Sequence, residues 1–476
     1  MAGRSRMFFR TAVGAALAAA FVGTAAADEA EVRKELDALK QEVRDLRAQV
    51  GRGAPAAPAS AASTGSPTSF SVGGANVTLY GTLNVDAGTV ERSSATAGTA
   101  PLNSLVGAPG ATPVSVPSRG TLRSNSSNFG LRGSRSLGDG WSAVFQVESA
   151  LGVDGNASTL AGRDTFVGLG SPYGTLLYGG NIDSPYKRGV QDRDPFYATG
   201  IATQKGILGS PGFNVTSVNA VAGTTVGGNA ANAQQQNAGF DARLNNLVAY
   251  RSPVFAGFSA ELGYGLNEQK STSTGVQINP RVWSLQTRYV MGPLFASYAY
   301  EQRRDVFGLN SLTTLTPGTG VTGAAFTLTP GASARDTGNK VGLGYRSIFG
   351  TDVLLVWENL KYTTNVGPVT SFDRDAWVAS VSQKLGKHRL IASYSKAADG
   401  NCSLAAGGGC STAGLGAQQW ALGYDYTLDA NTSLYLFGSK IINEAAAAYN
   451  FGVSGAPAAG VGADPTGVAL GVRYRF

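Results

Sequence analysis

The carboxyl-terminal segment constrains this chain most. In Thr466–Phe476, Val468, Leu470, Val472, Tyr474 and Phe476 share one parity, while Ala469, Gly471, Arg473 and Arg475 share the other. A strand turns successive side chains to opposite faces, so one face here is apolar with an aromatic end and the other is small or cationic. A soluble domain rarely ends in a free aromatic terminus on such a strand. A barrel with lipid outside and water inside does, and Tyr474 and Phe476 are then its terminal assembly signal.

The same theme repeats from about residue 72. Alternating segments fall at 76–88, 127–135, 140–150, 163–170, 174–181, 243–252, 257–267, 280–290, 293–302, 338–347, 351–361, 374–384, 388–397, 418–426, 431–441 and 466–476. A ten-residue strand rises about 33 Å and, tilted by about 40°, spans an apolar band of about 25 Å. Short turns such as Leu137-Gly-Asp-Gly140 and Leu385-Gly-Lys387 alternate with long loops at 89–126, 151–162, 182–242, 268–279, 303–337, 362–373, 398–417 and 442–465. That sorting is expected of an all-β, 16-stranded antiparallel transmembrane barrel with short periplasmic turns and long outer loops. A soluble sandwich has no reason to sort its loops.

Composition agrees. Only 14% of the 476 residues are charged, yet mean hydropathy is near zero, with 65 Gly, 18 Tyr and 20 Phe. Residues 1–27 read as a secretion signal: Arg4, Arg6 and Arg10 precede an apolar run that ends in Ala25-Ala26-Ala27. No later segment offers about 18 consecutive apolar residues, so membrane residence implies strands rather than helices. Removing the signal lowers the net charge from +7 to +4, which gives no reason to invoke nucleic acid. Cys402 and Cys410 read as a disulfide closing a short surface loop of an exported protein.

Ahead of the barrel, Val32, Leu36, Leu39, Val43, Leu46 and Val50 are spaced 4, 3, 4, 3, 4, a heptad seam. Glu35 can reach Lys40, and Glu42 can reach Arg47, on a neighbouring helix. So short a helix is marginal alone, so 28–50 is expected to be a periplasmic coiled coil; the alternative is one amphipathic helix lying on its own barrel. Residues 51–71 form an Ala/Pro/Gly/Ser linker to the barrel of 72–476.

Several segments resemble the general porins of β-proteobacteria, which include the neisserial porins. They are Val77-Thr-Leu-Tyr-Gly81, Phe129-Gly-Leu-Arg-Gly133, Leu137-Gly-Asp-Gly-Trp141, Val144-Phe-Gln-Val-Glu148, Phe166-Val-Gly-Leu169, Leu244–Pro253 and Gly471–Phe476. The resemblance covers 72–476 and implies an outer-membrane homotrimer that passively admits small hydrophilic solutes and ions. It implies contact with outer-membrane lipid, lipopolysaccharide and the barrel-assembly machinery, no cofactor and no catalysis. It also implies that the third outer loop, 182–242, folds into the lumen and narrows it. A trimeric barrel suggests three strands for the coil, and the arm could reach peptidoglycan. Two departures stand out: Tyr178-Gly-Gly180 lacks the Arg that often follows this strand in the family, and most members lack a helical arm.

Strand parity nominates lumen residues: Arg132, Glu148, Arg163, Arg288, Lys340 and Arg346, joined by Asp183, Asp192 and Asp194 of the infolding loop. Arg243, Arg251, Arg303, Arg473 and Arg475 follow the same rule. The inward set is richer in arginine than in carboxylate, so a mild anion preference is expected. A channel for anionic metabolites such as dicarboxylates, and a barrel tethered to the cell wall through its arm, remain alternatives. The lone His388 sits at a short turn, remote from the outer rim where a Ser/His/Asp set would be sought, so no catalytic site is expected. Two cysteines alone cannot hold a structural metal.

Overall fold

The computed structural model describes residues 68–93, 115–156, 158–213, 239–266, 270, 278–309, 314–316, 320–322, 330–453 and 461–476. The chain divides into units 1–56 and 57–476, and the described residues belong to the second. The expected signal (1–27), the seam residues of 28–50 and most of the linker lie outside them.

Among the described residues the wall sheet has nineteen strands, eighteen of them β1 (Thr68–Val72), β2 (Ala75–Arg92), β3 (Val116–Ser124), β4 (Asn128–Gly138), β5 (Trp141–Ala150), β6 (Thr165–Ser171), β7 (Gly174–Gly180), β8 (Leu247–Arg251), β9 (Phe258–Gly265), β10 (Arg281–Met291), β11 (Leu294–Arg304), β12 (Ala334–Arg346), β13 (Thr351–Thr364), β14 (Val369–Leu385), β15 (His388–Ala397), β16 (Ala417–Thr427), β17 (Thr432–Asn443) and β18 (Pro465–Arg475), with the short strand Asn401–Leu404 pairing to the start of β14. Every pairing is antiparallel between neighbours, and β2 closes the sheet on β18, with Thr82 opposite Arg475 and Val85 opposite Val472. β3 and β4 share one stave. β1 continues the lane of β18 below Phe476, whose backbone exchanges two hydrogen bonds with Gly81. The result is a closed sixteen-stave barrel, as the alternation predicts. Closure leaves no sheet edge to face lipid.

The outward face is apolar and carries exposed aromatics. Trp283 and Trp420 lie toward the outer ends of their strands, Tyr298, Trp357 and Trp377 near the middle, and Tyr250, Phe258, Tyr345, Trp141 and Tyr474 toward the short turns; all are at least 40% exposed. Aromatic rings with polar edges favour the two membrane interfaces.

Three local departures from the expected strands have physical causes. The loop expected at 89–126 contains β3, which extends the second stave outward by pairing with Val85–Arg92. Between β3 and β4, residues 125–127 bulge, Ser126 at φ 58°, and swing Asn125 into the lumen. The strand expected at 243–252 is broken: Asn246 adopts φ 51°, and Arg243-Leu244 pairs with Ile182-Asp183 rather than with the wall. This two-residue ladder staples the neck of the segment that runs from Ile182 to Leu244.

That segment folds inward. Ser184 caps the short helix α1 (Pro185–Gln191) by accepting from the Lys187 amide, and Pro185 opens it. The helix lies against β10–β12, where Gly338 and Gly342 are inward positions of β12. A Cβ on Gly342 would come within 2.5 Å of Val190, and one on Gly338 within 2.8 Å of Phe240. The buried apolar residues of the protein therefore belong to this lining. Tyr186, Phe213 and Phe240 pack with Phe307 and Leu309 of another loop and with Leu360, Tyr362 and Phe372 of the wall. Ile207 and Leu208 pack with Tyr449 and Phe451 of the last outer loop.

Candidate functional site

The inward segment is held to the wall by one charged cluster. Glu358 on β13 accepts from Tyr186 Oη at 2.8 Å, from the Gly209 amide at 2.8 Å and from Arg374 Nη2 at 3.0 Å. Lys340 Nζ lies 3.4 Å from Glu358 and 2.7 Å from Asp241. Arg374 also donates from Nε to the Ser210 carbonyl at 2.9 Å and from Nη2 to the Ile207 carbonyl at 3.1 Å. All three wall side chains are at most 1% exposed. Among the described residues only Arg374 Nη1 of this cluster finds no hydrogen-bond partner, and removing one charge strands the others.

The opposite side of the segment faces a passage along β2–β8. A cavity of about 260 Å³ on that side is lined by Lys187 and Lys205 of the segment, Arg243 at its neck, and Arg163 and Arg473 of the barrel. Asn84, Asn125, Gln191, Tyr197 and Thr199 are among its other polar residues, and among the described residues no carboxylate lines it. The carboxylates stand one layer behind. Glu148 pairs with Arg163 and accepts from Tyr80 Oη at 2.9 Å. Asp164 pairs with Arg188 and, at 2.6 Å, with Arg243. Asp183 pairs with Lys187 at 2.5 Å and Arg243 at 3.1 Å. Burial alone would raise the Asp183 carboxyl, but Arg243, Lys187, Arg188 and Arg163 hold it well below the usual carboxylate range. Lys205 Nζ donates to the Ala198 carbonyl at 2.9 Å, and the Arg473 guanidinium lies 4.2 Å above the Tyr197 ring. Burial lowers both lysines of the segment, Lys187 to about 8.

The residues nominated by parity scatter. Arg163 lines the passage, and Glu148 and Asp183 stand behind it. Arg132 lies over the Tyr80 ring at 5.0 Å. Asp192 and Arg288 pair with each other at 2.6 Å, outside that cavity. Three placements correct the parity reading. Lys340 points inward, but the infolded segment covers it. Asp194 is buried within the segment, accepting from Thr203 Oγ1 at 2.6 Å and from the Gln204 amide, and burial raises its carboxyl. Arg346 sits at a short turn, 64% exposed and paired with Asp352. Parity missed Lys205, Asn125 and Asp164, because each lies in a loop, a bulge or a pre-strand bend where the two-residue period does not apply. Cys402 and Cys410 are joined, Cα atoms 5.4 Å apart, on the outer loop after β15. His388 Nδ1 lies 2.7 Å from Tyr424 Oη beside a short turn.

A closed antiparallel barrel with an apolar, aromatic-rich outside and a polar lumen partly filled by an inward segment defines an outer-membrane channel. The profile of the Gram-negative porin family matches residues 50–446, and the chain belongs to that family. It is 26% identical over 367 residues to outer membrane porin protein 32 of Delftia acidovorans, covering 75% of this chain and 86% of that one. It is 28% identical over 234 residues to the major outer membrane protein P.IB of Neisseria meningitidis, covering 49% and 56%. Among solved structures, the anion-selective porin from Comamonas acidovorans superposes with a TM-score of 0.59 at 22% identity, over 84% of this chain and all of that one. A trimer form of OmpT of Vibrio cholerae gives 0.50 at 17% identity, over 84% and 99%. These likenesses at low identity concern the fold.

Proposed function

We propose that the barrel is a passive diffusion channel for small hydrophilic solutes and ions with a preference for anions. The lining of the cavity carries this reading: among the described residues it holds five cations and no carboxylate. Between low-dielectric walls such charges raise the local anion concentration and repel cations. The Comamonas porin, described as anion-selective, supports it by analogy. The channel assembles as a homotrimer, each barrel with its own passage, and 28–50 ties the three barrels together. The test is a planar bilayer holding the purified protein across a KCl gradient. A reversal potential of the sign set by chloride is expected; one set by potassium overturns the proposal.

A second reading is favoured by the clustering of these cations. Lys187 and Lys205 of the segment line the same cavity as Arg163 and Arg473 of the barrel, a set of cations that fits a solute with two carboxylates. A dicarboxylate should then saturate the current and compete with chloride, whereas a monocarboxylate should not. Deleting 28–52 addresses the arm. Dissociated trimers support assembly; intact trimers of unchanged conductance in a weakened envelope support a tether instead.

A further inference from the structure

The tip of the infolded segment crosses the lumen and docks on β15–β18. Asp194 closes the turn there by accepting from the Phe196 amide at 3.0 Å. Phe196 settles on β16, where a Cβ on Gly423 would come within 2.8 Å of its ring, and it meets Phe437 edge-on at 5.1 Å. Tyr197 and Ala198 follow at φ 65° and 54°, a left-handed region that residues other than glycine rarely adopt. Such residues persist where their surroundings hold them. The Tyr197 hydroxyl donates to Asp425 on β16 and lies 3.4 Å from Ser433 Oγ on β17. The Tyr197 ring lies under Arg473 of β18, whose guanidinium is 4.2 Å from the ring centre.

This one side chain stands between two opposite charges of the wall. Asp425 is opposite Tyr435, and Arg473 is opposite Ser433, so they flank β17 on its two sides. Neighbouring strands lie about 4.8 Å apart, so an arginine and an aspartate on the strands flanking β17 are within reach of each other. Opposite charges so placed attract. Among the described residues, however, they form no ion pair: the cation nearest Asp425 is Arg389 at 3.9 Å, and Arg473 has no carboxylate partner. Each retains a buried polar atom without a hydrogen bond, Asp425 Oδ1 and Arg473 Nε. The phenol engages both differently. Its hydroxyl occupies the carboxylate, while its ring face attracts the guanidinium without neutralising it. Arg473 thereby joins Lys187 and Lys205 in the cavity lining with its charge uncompensated.

We propose, building on the anion-preference reading, that Tyr197 is a positioning residue for ion specificity: it keeps Asp425 from pairing with Arg473, so that Arg473 serves passing anions. The test is the chloride-to-potassium permeability ratio, taken from reversal potentials of the parent channel, Tyr197→Phe, Asp425→Asn and the two combined. Tyr197→Phe keeps the ring and removes the donor. Asp425 should then pair with Arg473, and the ratio should fall about twofold or more as one lining cation is neutralised. Asp425→Asn should change the ratio little in the parent and restore it in the Tyr197→Phe channel. A merely structural Tyr197, whose loss lets the tip leave the wall, would give wider and noisier conductance that Asp425→Asn does not correct. In an Arg473→Ala background Tyr197→Phe should add no further shift. Heat-resistant mobility reports that each channel is folded, and if the combined variant fails to fold, the Arg473→Ala background carries the test. In a chloride-set parent, additive effects of Tyr197→Phe and Asp425→Asn overturn this inference alone, as does a full shift by Tyr197→Phe in the Arg473→Ala channel. A potassium-set parent overturns the permeation reading and this inference with it.

Discussion

Two halves of the same lumen are built from the same alternating strands and are filled in opposite ways. Along β10–β17 the inward positions include Ala299, Gly338, Gly342, Val356, Leu360, Phe372 and Val378 beside the buried charges Lys340, Glu358 and Arg374, and the infolded segment covers them. Along β2–β8 the inward positions include Asn84, Asp86 and Glu148, with Arg163 just ahead of β6, and they face the passage or stand directly behind it. Inward parity therefore does not mean wet. What decides is whether a wall offers apolar side chains and missing Cβ atoms to a covering loop, or charge to water.

The strongest way to break this division is Glu358→Ala. It removes the carboxylate shared by Lys340, Arg374, Tyr186 and the Gly209 amide, leaving Lys340 with Asp241 and Arg374 with the carbonyls of Ser210 and Ile207. Losing one partner of such a buried cluster costs about 3–5 kcal/mol, more than the remaining contacts of a single loop are expected to offset. The segment should leave the wall. Single-channel records should show larger and noisier conductance with weaker ion discrimination, while the barrel keeps its heat-resistant mobility. Unchanged, quiet conductance would refute the role of the cluster. Gly342→Val attacks the same contact sterically, since its side chain would meet Val190. Overpacking of this kind costs about 1–3 kcal/mol, so partial release and intermittent widening are expected.

On the wet half, Lys205→Ala with Arg473→Ala removes two of the five lining cations and should move the reversal potential toward zero. Loss of conductance without loss of selectivity would count against the electrostatic reading. A milder version needs no mutation. Burial lowers Lys187 to about 8 and lowers Lys205 as well, and both groups face Asp183 and Arg243. A lysine loses its charge as pH rises through its pKa, so anion preference should fall between about pH 7 and pH 9, where an ordinary lysine with pKa near 10.4 stays charged. Lys187→Arg should flatten most of this dependence, and a profile that is flat in the parent channel removes the assignment.

The comparison also shows what could be read from the chain beforehand. The stave count, the alternation of short and long connections and the outward aromatics follow from a period of two and from turn chemistry, both local. Arg163 was legible because it adjoins a recognisable strand. Lys340 was misread as lining because its inward direction is local, whereas its cover comes from Asp241, about a hundred residues away in sequence. Lys205 was invisible for the converse reason: no periodicity aims a loop lysine until Thr203 caps the short turn at Gln204–Gly206. Gly338 and Gly342 carried a usable signal. Glycines at alternate inward positions of a central strand weaken it unless something packs closely there.

The smallest expected effect concerns the disulfide, and it sharpens the comparison by its locality. Cys402 and Cys410 join the outer loop after β15, and Cys402 packs in the same apolar layer as Phe372 and Val369. Closing a loop with a sequence separation of 8 restricts the reduced chain by an amount worth about 2–3 kcal/mol in the loop-entropy account. That stabilisation acts on opening of the loop, not of the barrel, because the Ala417–Thr427 strand keeps its full ladder to His388–Ala397 without it. Cys402→Ser with Cys410→Ser should therefore speed amide exchange and proteinase K nicking within 398–416 and leave heat-resistant mobility unchanged. The passage lies on the other half, so the reversal potential should not move. A shift in ion preference on reducing this bond would show that the covered layer and the wet passage are coupled through the outer loops, and the division into two independent halves would fail.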